Sequence, residues 1–395
     1  MNELPHKLLA IAGSDFLLDS SEILGINLIG YIRAEMGIGE ATRGLANALD
    51  IADIPFGVVD YQKFNPSRMG DDSWLSHSIE EPQHEVNVLP INADLIPAVV
   101  DDLPGHYFSN RYTIGYWVWE LPEFPDEWLS SFNLVDEVWV PSKFVQEAVS
   151  RKSSVPVLCM PYVIDKQSTS YLERSFFQLP ESRFLFLCMF DTNSISERKN
   201  PFGAIQAFRR AFAPNLDDVG LVIKINNAND ETLQNLYGII AEYENIYILD
   251  STMSRYEVDS LTYCCDCFVS LHRAEGFGLV IAEAMALGRP VIVTHWSGNT
   301  DFTNSQNAVC ISSELRRVGR DYGPYKAHQY WAEPNIDEAA QWMQRLASDR
   351  ALAERLGKQA QGDIVQQFSP ETVGQLIRQR LFCIRHHNSA RWSKT

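Results

Sequence analysis

The chain has 395 residues, and its 33 Lys and Arg against 51 Asp and Glu leave a net charge of −18. At roughly 100–200 residues per domain, this length predicts two domains, and a composition of 45% hydrophobic and 21% charged residues is that of a globular protein. The acidic balance disfavours nucleic acid as a partner, and no apolar run reaches the ~18 residues of a membrane-spanning helix.

The N-terminal segment, Met1 to Asp19, lacks the pattern of a secretory signal peptide. The seven Cys are an odd number, and several of them lie inside apolar runs, which favours reduced, buried thiols. Both features predict a cytoplasmic protein, with a peripheral position at the inner face of the membrane as an extension of that prediction.

Short, nearly all-apolar strands alternate with longer helical segments from Ile26 onward. This rhythm is typical of parallel sheets with crossover helices. Ser142 is placed to cap the helix predicted at 143–149. The strands predicted in the first half of the chain are 26–32, 56–61, 86–91, 112–119, 137–140 and 155–160, and another predicted helix is 40–49.

The pattern lapses over residues 165–183, and a second series of strands and helices begins at Phe184. The predicted fold class is therefore α/β, with two Rossmann-like, doubly wound domains facing across a cleft. The predicted domains are residues 1–178, residues 179–368, and a C-terminal helix and basic tail at 369–395 that can return to the first domain. The second series has strands at 184–190, 219–225, 246–249, 267–271 and 291–294 and helices at 201–212, 230–243, 256–263 and 279–287.

Amphipathic helices are predicted over residues 334–385, with a break at Phe368-Ser369-Pro370. The tail that follows is basic and contains no acid from Arg378 onward. A solvated end explains this pattern, and contact with anionic lipid or with a charged acceptor is the alternative. The basic residues are Arg378, Arg380, Arg385, Arg391 and Lys394.

The most informative segment leaves a strand, crosses a glycine-flanked turn at Gly276, Phe277 and Gly278, and enters a helix at Leu279. The turn lets the backbone approach a ligand, and the helix N-terminus offers free N–H groups, so a diphosphate fits there. Glu275 and Glu283 flank this turn, and carboxylates suit sugar hydroxyls. By itself, a Glu before a helix can also merely favour the helix dipole.

A basic pair, Arg198-Lys199, follows the first strand of the same domain. In a doubly wound sheet this loop opens at the same edge as Glu275, so both cations can converge on the anion site. They would then hold a diphosphate leaving group and stabilise its developing charge. An exposed basic pair before a helix is the other explanation of this pattern.

These motifs resemble those of glycosyltransferase family 4, the retaining enzymes with a GT-B fold. The segment from Glu275 to Glu283 is similar to the E-x7-E motif of that family, and Arg198-Lys199 is similar to its donor-phosphate pair. The resemblance implies that Glu275 contacts the donor sugar, that Glu283 contacts the ribose, and that the amides near Phe277 to Leu279 contact the phosphates.

Four further assignments rest on the same resemblance. Gly39 belongs to a segment similar to the family's N-terminal glycine-rich loop, and a tight strand-to-helix turn explains Gly37-Ile38-Gly39 equally well. Asn299 lies where the family often has a Gly-Gly-x-x-Glu turn, from which this chain departs at Ser297 and Asp301. Many relatives place a His near the reacting sugar, and Glu120 is the substitute candidate here. Base specificity is expected from the loop after Leu249, which contains Thr252 and Met253.

The residue pattern disfavours several alternative functions and ligands. No Gly follows Gly39 at the spacing of a dinucleotide fingerprint, which disfavours NAD. Cys264-Cys265-Asp266-Cys267 lacks the second ligand pair that structural zinc requires, and no Asp-x-Asp motif suits a metal-bound donor, so no metal and no cofactor are expected. Trp117 and Trp119 are expected in the core or the cleft wall. An epimerase or phosphorylase would need acid/base groups or a cofactor lysine that the sequence does not show.

The resulting hypothesis is a metal-independent, retaining glycosyltransferase. It would move a sugar from a nucleotide-diphosphate donor, bound by the second domain, to a hydroxyl of a saccharide or lipid-linked glycan acceptor, bound by the first. Synthesis of cell-surface polysaccharide or glycoconjugate is the expected pathway. A non-catalytic GT-B module that binds a nucleotide sugar or glycan is the rival hypothesis.

Overall fold

The computed structural model describes residues 23–388 with the exception of 167, 169 and 215. The N-terminal segment Met1 to Asp19, and Arg391 and Lys394 of the basic tail, lie outside the described residues. Among the described helices, none combines the length and the apolar composition needed to cross a bilayer.

Six parallel strands form one sheet in the first half of the chain. They are β1 (Ile26–Gly30), β2 (Phe56–Asp60), β3 (Val86–Leu89), β4 (Tyr112–Tyr116), β5 (Glu137–Val140) and β6 (Val157–Cys159), with helices α1 (Gly37–Ile51), α2 (Ile96–Asp102) and α3 (Lys143–Ser150). Their order is β2-β1-β3-β4-β5-β6. β1, β3, β4 and β5 are buried at every residue, which explains their continuous apolar sequences.

A second sheet of six parallel strands follows. Its elements are β7 (Phe184–Asp191), α4 (Ser196–Lys199), α5 (Pro201–Ala211), β8 (Val219–Asn226), α6 (Asp230–Ile240), β9 (Ile246–Leu249), α7 (Arg255–Cys264), β10 (Cys267–Ser270), α8 (Leu279–Ala286), β11 (Val291–Thr294) and β12 (Val309–Ile311). The order β9-β8-β7-β10-β11-β12 places β7 beside β10, where the strand order reverses. Both sheets together confirm the predicted fold class of two doubly wound domains.

Most predicted strands and helices are present, with small differences at their ends. β4 ends at Tyr116, whereas the predicted strand continues to 119. The N–H of Trp117 still donates to Trp139 O of β5, but the N–H of Val118 donates to Asn92 Oδ1 at 2.9 Å and not to a neighbouring strand. Ser142 caps α3 as predicted, since its Oγ accepts from the N–H of Val145.

An antiparallel hairpin follows the second sheet and was not predicted. It pairs β13 (Ser313–Arg317) with β14 (Tyr330–Pro334). Four residues of β13 are exposed, so the apolar run that marks a buried strand is missing from the sequence. Residues 318–329, between the two strands, are called the hairpin loop below.

The chain ends in three helices, and the last of them returns to the first domain. They are α9 (Ile336–Ser348), α10 (Arg350–Phe368) and α11 (Pro370–His387). Ile377 and Leu381 of α11 pack with Leu45 and Leu49 of α1 in one hydrophobic core. Within the first domain, α11 also supplies two cations. Arg378 donates to Ala52 O, and Arg380 Nε lies 2.9 Å from Glu137 Oε1.

Lys224 of β8 is a buried amine, with 2% of its surface exposed, and donates to Ile225 O and Asn226 Oδ1. Burial lowers the pKa of Lys224 to about 8. An unfolded lysine titrates near 10.4, so between pH 8 and 10.4 the unfolded chain binds more protons and folding stability should rise with pH.

Replacing Lys224 with Met should therefore raise the free energy of unfolding by about 1 kcal/mol at pH 7, and by less at pH 10. Urea denaturation at both pH values measures the difference. Lys358→Met, at an exposed lysine of α10, is the matched control. An equal effect of Lys224→Met at the two pH values would show that the amine is not the cause.

Candidate active site

Two loops of the second domain meet at the reversal of its strand order. One loop follows β7 and contains α4, and the other follows β10 and contains residues 271–278. Open α/β sheets bind ligands outside the carboxyl ends of the strands at this position. Arg198 and Lys199 lie on the first loop and Glu275 on the second, so the structure brings these three predicted residues together.

Hydrogen bonds from the Asn200 side chain and from the backbone join the two loops. Asn200 adopts a left-handed conformation with φ of 51°, and its Nδ2 donates to Leu271 O at 2.7 Å, which joins the loops directly. The N–H of Arg273 donates to Arg198 O at 2.8 Å. Pro201 then begins α5, as proline favours the first helical position. The basic pair is therefore fixed against the second loop.

The three charged side chains form one ionic cluster. Lys199 Nζ lies 2.5 Å from Glu275 Oε1, and Arg198 Nη1 lies 3.1 Å from Glu275 Oε2. Burial alone would raise the pKa of Glu275, but Lys199 and Arg198 hold it at about 2. Glu275 is thus an acceptor-only carboxylate across the physiological pH range.

Arg198 is nearly buried and is also bound by neutral groups. Its Nη1 donates to Ala274 O at 2.9 Å and its Nη2 to Ser194 Oγ at 3.0 Å. On the side of the first domain, Glu120 Oε1 lies 3.9 Å from Arg198 Nη2. The guanidinium therefore stands between carboxylates from two domains, with Glu275 on one side and Glu120 on the other.

The turn before α8 presents unpaired backbone amides. Within the described residues, the N–H groups of Gly276, Phe277 and Gly278 have no hydrogen-bond acceptor. Gly278 has φ of +94°, a conformation that favours glycine, and directs the chain into α8. Free N–H groups and the positive end of the helix dipole together favour an anion at this place.

The first domain packs against the same turn. Ser142 Oγ donates to Gly276 O at 2.6 Å, and a Cβ at Gly276 would lie 2.2 Å from Val118 Cγ2. Lys143 N donates to Asp301 Oδ2 at 2.7 Å. The two domains are therefore in direct contact beside the ionic cluster.

Glu283 lies in a second ionic cluster between the domains. Its Oε1 is 2.5 Å from Arg255 Nη2 and 3.2 Å from Lys166 Nζ, and both cations also approach Glu40 of α1. Burial would raise the pKa of Glu40, but Arg255, Lys166 and Arg43 lower it to about 2. An adjoining cavity of about 360 Å³ is also lined by Asn47, Asp71, Ser73 and Trp74.

Two residues of the predicted donor site have their side chains engaged inside the fold. Phe277 is 2% exposed and packs on Tyr162 and Phe368, so only its backbone faces the turn. Asn299 is buried, with Nδ2 donating to Thr294 O at 3.0 Å and Oδ1 lying 3.0 Å from His272 Nε2. Burial lowers the pKa of His272, which favours the neutral ring.

The other residues of the predicted donor site are Gly39, Leu279, Thr252 and Met253. A Cβ at Gly39 would lie 2.0 Å from Ala34 O, so the tight turn at the start of α1 requires glycine. Leu279 is half-buried at the start of α8. Thr252 is exposed and Met253 is half-buried ahead of α7. Their contacts with a donor stay predictions.

Three residues at these sites were not anticipated from sequence. Lys166 and Arg255 bind Glu283, and Tyr325 of the hairpin loop binds Glu120. No spacing or motif marks any of them, because each pairs with a residue far away in the chain.

The predicted absence of a metal site stays a prediction. Cys265 and Cys267 are buried, as expected of apolar thiols, whereas Cys264 of the same segment is half-buried. Within the described part of the chain, no group of three or more His, Cys, Asp or Glu side chains is arranged to hold a metal ion.

The second domain matches a known family. The family model described as "Glycosyl transferases group 1" matches residues 188–363, somewhat less than half of the chain. The matched segment includes both loops of the ionic cluster and all of α8. No curated protein sequence is significantly similar to the chain.

Solved structures resemble most of the chain. Anabaena Alr3699/HepE in complex with UDP-glucose has a TM-score of 0.64 at 15% identity, with 91% of this chain and 99% of that chain covered. Sucrose-phosphate synthase of Thermosynechococcus elongatus has a TM-score of 0.64 at 13% identity, with 93% and 100% covered. The pneumococcal O-GlcNAc transferase GtfA has a TM-score of 0.55 at 15% identity, with 76% and 57% covered. These likenesses show the fold, the predicted GT-B arrangement.

Proposed function

We propose that the chain is a retaining glycosyltransferase that moves a sugar from a nucleotide-diphosphate donor to a hydroxyl of a saccharide or lipid-linked glycan, without a metal. The observation that carries the proposal is the cluster of Lys199, Glu275 and Arg198 beside the unpaired amides of residues 276–278. The family model over residues 188–363 supports glycosyl transfer. Complexes of structural neighbours with UDP and UDP-glucose make UDP-sugars the first donors to test.

On binding, groups of the donor would replace some of the ion pairs that Lys199, Arg198 and Glu275 form with one another. The diphosphate would bind Lys199 and the backbone N–H groups before α8. The sugar hydroxyls would donate hydrogen bonds to Glu275. Because the pKa of Glu275 is about 2, its carboxylate is ionised and accepts these hydrogen bonds at neutral pH. The ion pairs with Arg198 and Lys199 thus keep Glu275 charged in the absence of a donor.

The reaction breaks the bond between the anomeric carbon and the phosphate oxygen. Negative charge then develops on the departing diphosphate, and Lys199 and the helix N-terminus stabilise it. The acceptor hydroxyl attacks from the same face and gives its proton to the departing phosphate oxygen, so the anomeric configuration is retained, with no protein nucleophile. In this mechanism the cations take the role that a metal plays in other transferases.

The ribose would bind at Glu283. Its hydroxyls would replace Arg255 or Lys166 as partners of Glu283, whereas Glu40 and Asp259 remain to neutralise the displaced cations. The base would then lie against the loop after Leu249, which contains Thr252 and Met253. Nucleotide binding would thereby change the ion pairs between the domains, because Arg255 and Lys166 also approach Glu40 of the first domain.

The acceptor would bind the first domain, and we place the reaction in cell-surface polysaccharide or glycoconjugate synthesis on the cytoplasmic side. Arg378 and Arg380 are bound to first-domain groups, so peripheral contact with a membrane would use other parts of the tail.

A donor screen tests the proposal. Thermal shift and hydrolysis would be measured with UDP-, GDP-, ADP-, dTDP- and CMP-sugars, with and without EDTA, for wild type and for Glu275→Gln. Glu314→Gln, at an exposed glutamate of β13, is the matched control. We expect one donor to stabilise the wild type and to be hydrolysed despite EDTA, with at least tenfold slower hydrolysis in Glu275→Gln.

Other outcomes of this screen separate the alternatives. A donor that binds but is never turned over, even with saccharide acceptors, would favour the non-catalytic module. Loss of activity in EDTA would overturn metal independence, and a product of inverted configuration by NMR would overturn retention. Binding of no donor at all would contradict the anion site.

A further inference from the structure

The hairpin loop, residues 318–329, belongs to the second domain but packs in the core of the first. Tyr325 is 5% exposed, and its ring centroid lies 5.4 Å from that of Trp119. Val318 also joins the first domain's hydrophobic core. In addition, Gln329 Nε2 donates to Glu123 O at 2.9 Å. The hairpin loop is thus anchored on the loop that carries Glu120.

The Tyr325 hydroxyl contacts the site through Glu120. It donates to Glu120 Oε2 at 2.9 Å, and burial raises the pKa of Tyr325 well above its ordinary value. The hydroxyl therefore remains protonated and acts as a donor. This leaves the other oxygen, Oε1, on the side of Arg198, at 3.9 Å from Nη2.

The separation of 3.9 Å matters for Arg198. A carboxylate free to rotate would form a shorter, bidentate pair with the guanidinium, since this is the preferred geometry of the two groups. The hydrogen bond from Tyr325 occupies Oε2 of Glu120, and Arg198 Nη1 lies 3.1 Å from Glu275 Oε2. Glu120 can therefore neutralise part of the charge of Arg198 while the guanidinium stays beside Glu275.

We propose that Tyr325 is a positioning residue for glycosyl transfer: it orients Glu120 so that Arg198 stays at the donor site when Glu275 turns to the substrate. This inference rests on the proposed function. It assigns to the hairpin loop a part in the reaction, and it gives Glu120 the role of orienting Arg198.

The test compares the rate with donor affinity. Tyr325→Phe removes only the hydroxyl, so kcat should fall about tenfold, the order expected for a hydrogen bond to a charged group, while the donor KM stays within about twofold. Tyr322→Phe, which removes a hydroxyl from the same hairpin loop, is the matched control and should resemble wild type. Melting temperatures of both variants check the fold.

A double-mutant cycle separates positioning from packing. If Tyr325 acts through Glu120, Tyr325→Phe should change kcat little in a Glu120→Gln background. Losses that multiply in the double variant, or a wild-type kcat in Tyr325→Phe, would overturn the inference.

A structural measurement keeps this test distinct from that of the proposed function. If the wild-type protein turns over no donor, that result contradicts the proposed function but leaves the positioning of Glu120 by Tyr325 to be tested. The crystal structure of Tyr325→Phe then decides: Glu120 turned onto Arg198 in a bidentate pair supports the positioning role, and an unchanged Glu120 refutes it.

Discussion

Replacing Lys199 with Ala should lower the rates of donor hydrolysis and transfer by about 100- to 1,000-fold, the effect of removing one preorganised charge-stabilising donor. Lys199 Nζ is 2.5 Å from Glu275 and its side chain is 21% exposed, so a diphosphate can reach it. The fold should persist, because Arg198 still neutralises Glu275. Steady-state kinetics with the donor found by the screen, and thermal melting, measure the two effects.

Two controls accompany Lys199→Ala. Lys199→Arg keeps the charge and should recover part of the rate, whereas Lys358→Ala removes an exposed lysine of α10 and should have none of the effect.

Loss of Lys199 should also raise the pKa of Glu275 from about 2. The stability that this depressed pKa contributes above about pH 4.5 disappears as the pH falls toward 2, so any destabilisation should shrink at pH 3. A rate within threefold of wild type would refute the leaving-group role.

Replacing Arg380 with Met should lower the free energy of unfolding by about 3–5 kcal/mol, the usual loss when one partner of a buried ion pair is removed. Glu137 is fully buried in β5, and Arg380 is the cation bound to it. Without that cation, the donors that remain on the carboxylate among the described residues are neutral: Tyr112 OH, at 3.0 Å, and Trp139 Nε1, at 2.7 Å. Urea denaturation measures the loss.

A second substitution identifies the cause of the loss. Glu137→Gln together with Arg380→Met removes the unpaired charge and should recover about half of the stability or more. Arg355→Met, at an exposed arginine of α10, is the matched control. If Arg380→Met is no more destabilising than this control, then α11 is not held to the first domain by the ion pair.

The stability and the activity predictions concern different contacts between the halves of the chain. α11 joins the first domain through a buried core and Arg380, far in sequence from the ionic cluster. Ser142 contacts the second domain at Gly276, and the hairpin loop contacts the first domain at Glu120. We therefore expect Arg380→Met to lower stability with little change in donor KM.

The sequence by itself determined the two doubly wound domains and the local parts of the site. Continuous apolar runs mark strands buried on both faces, and Gly278 and Pro201 mark where helices begin. Arg198-Lys199 and Glu275 were found because each lies in the loop that follows a strand. The carboxyl ends of parallel strands share one edge, so local position was enough to predict that these side chains meet.

Only the tertiary structure decided which distant side chains pair. Tyr325 and Glu120 are 205 residues apart, and Arg380 and Glu137 are 243 apart, so no local period relates them. The exposed strand β13 lacks an apolar run, which concealed the hairpin. Asn299 has the residue type of a ligand contact, yet its amide bonds Thr294 O inside the fold. A polar side chain is bound by whichever partner burial brings near, and that depends on packing of the whole chain.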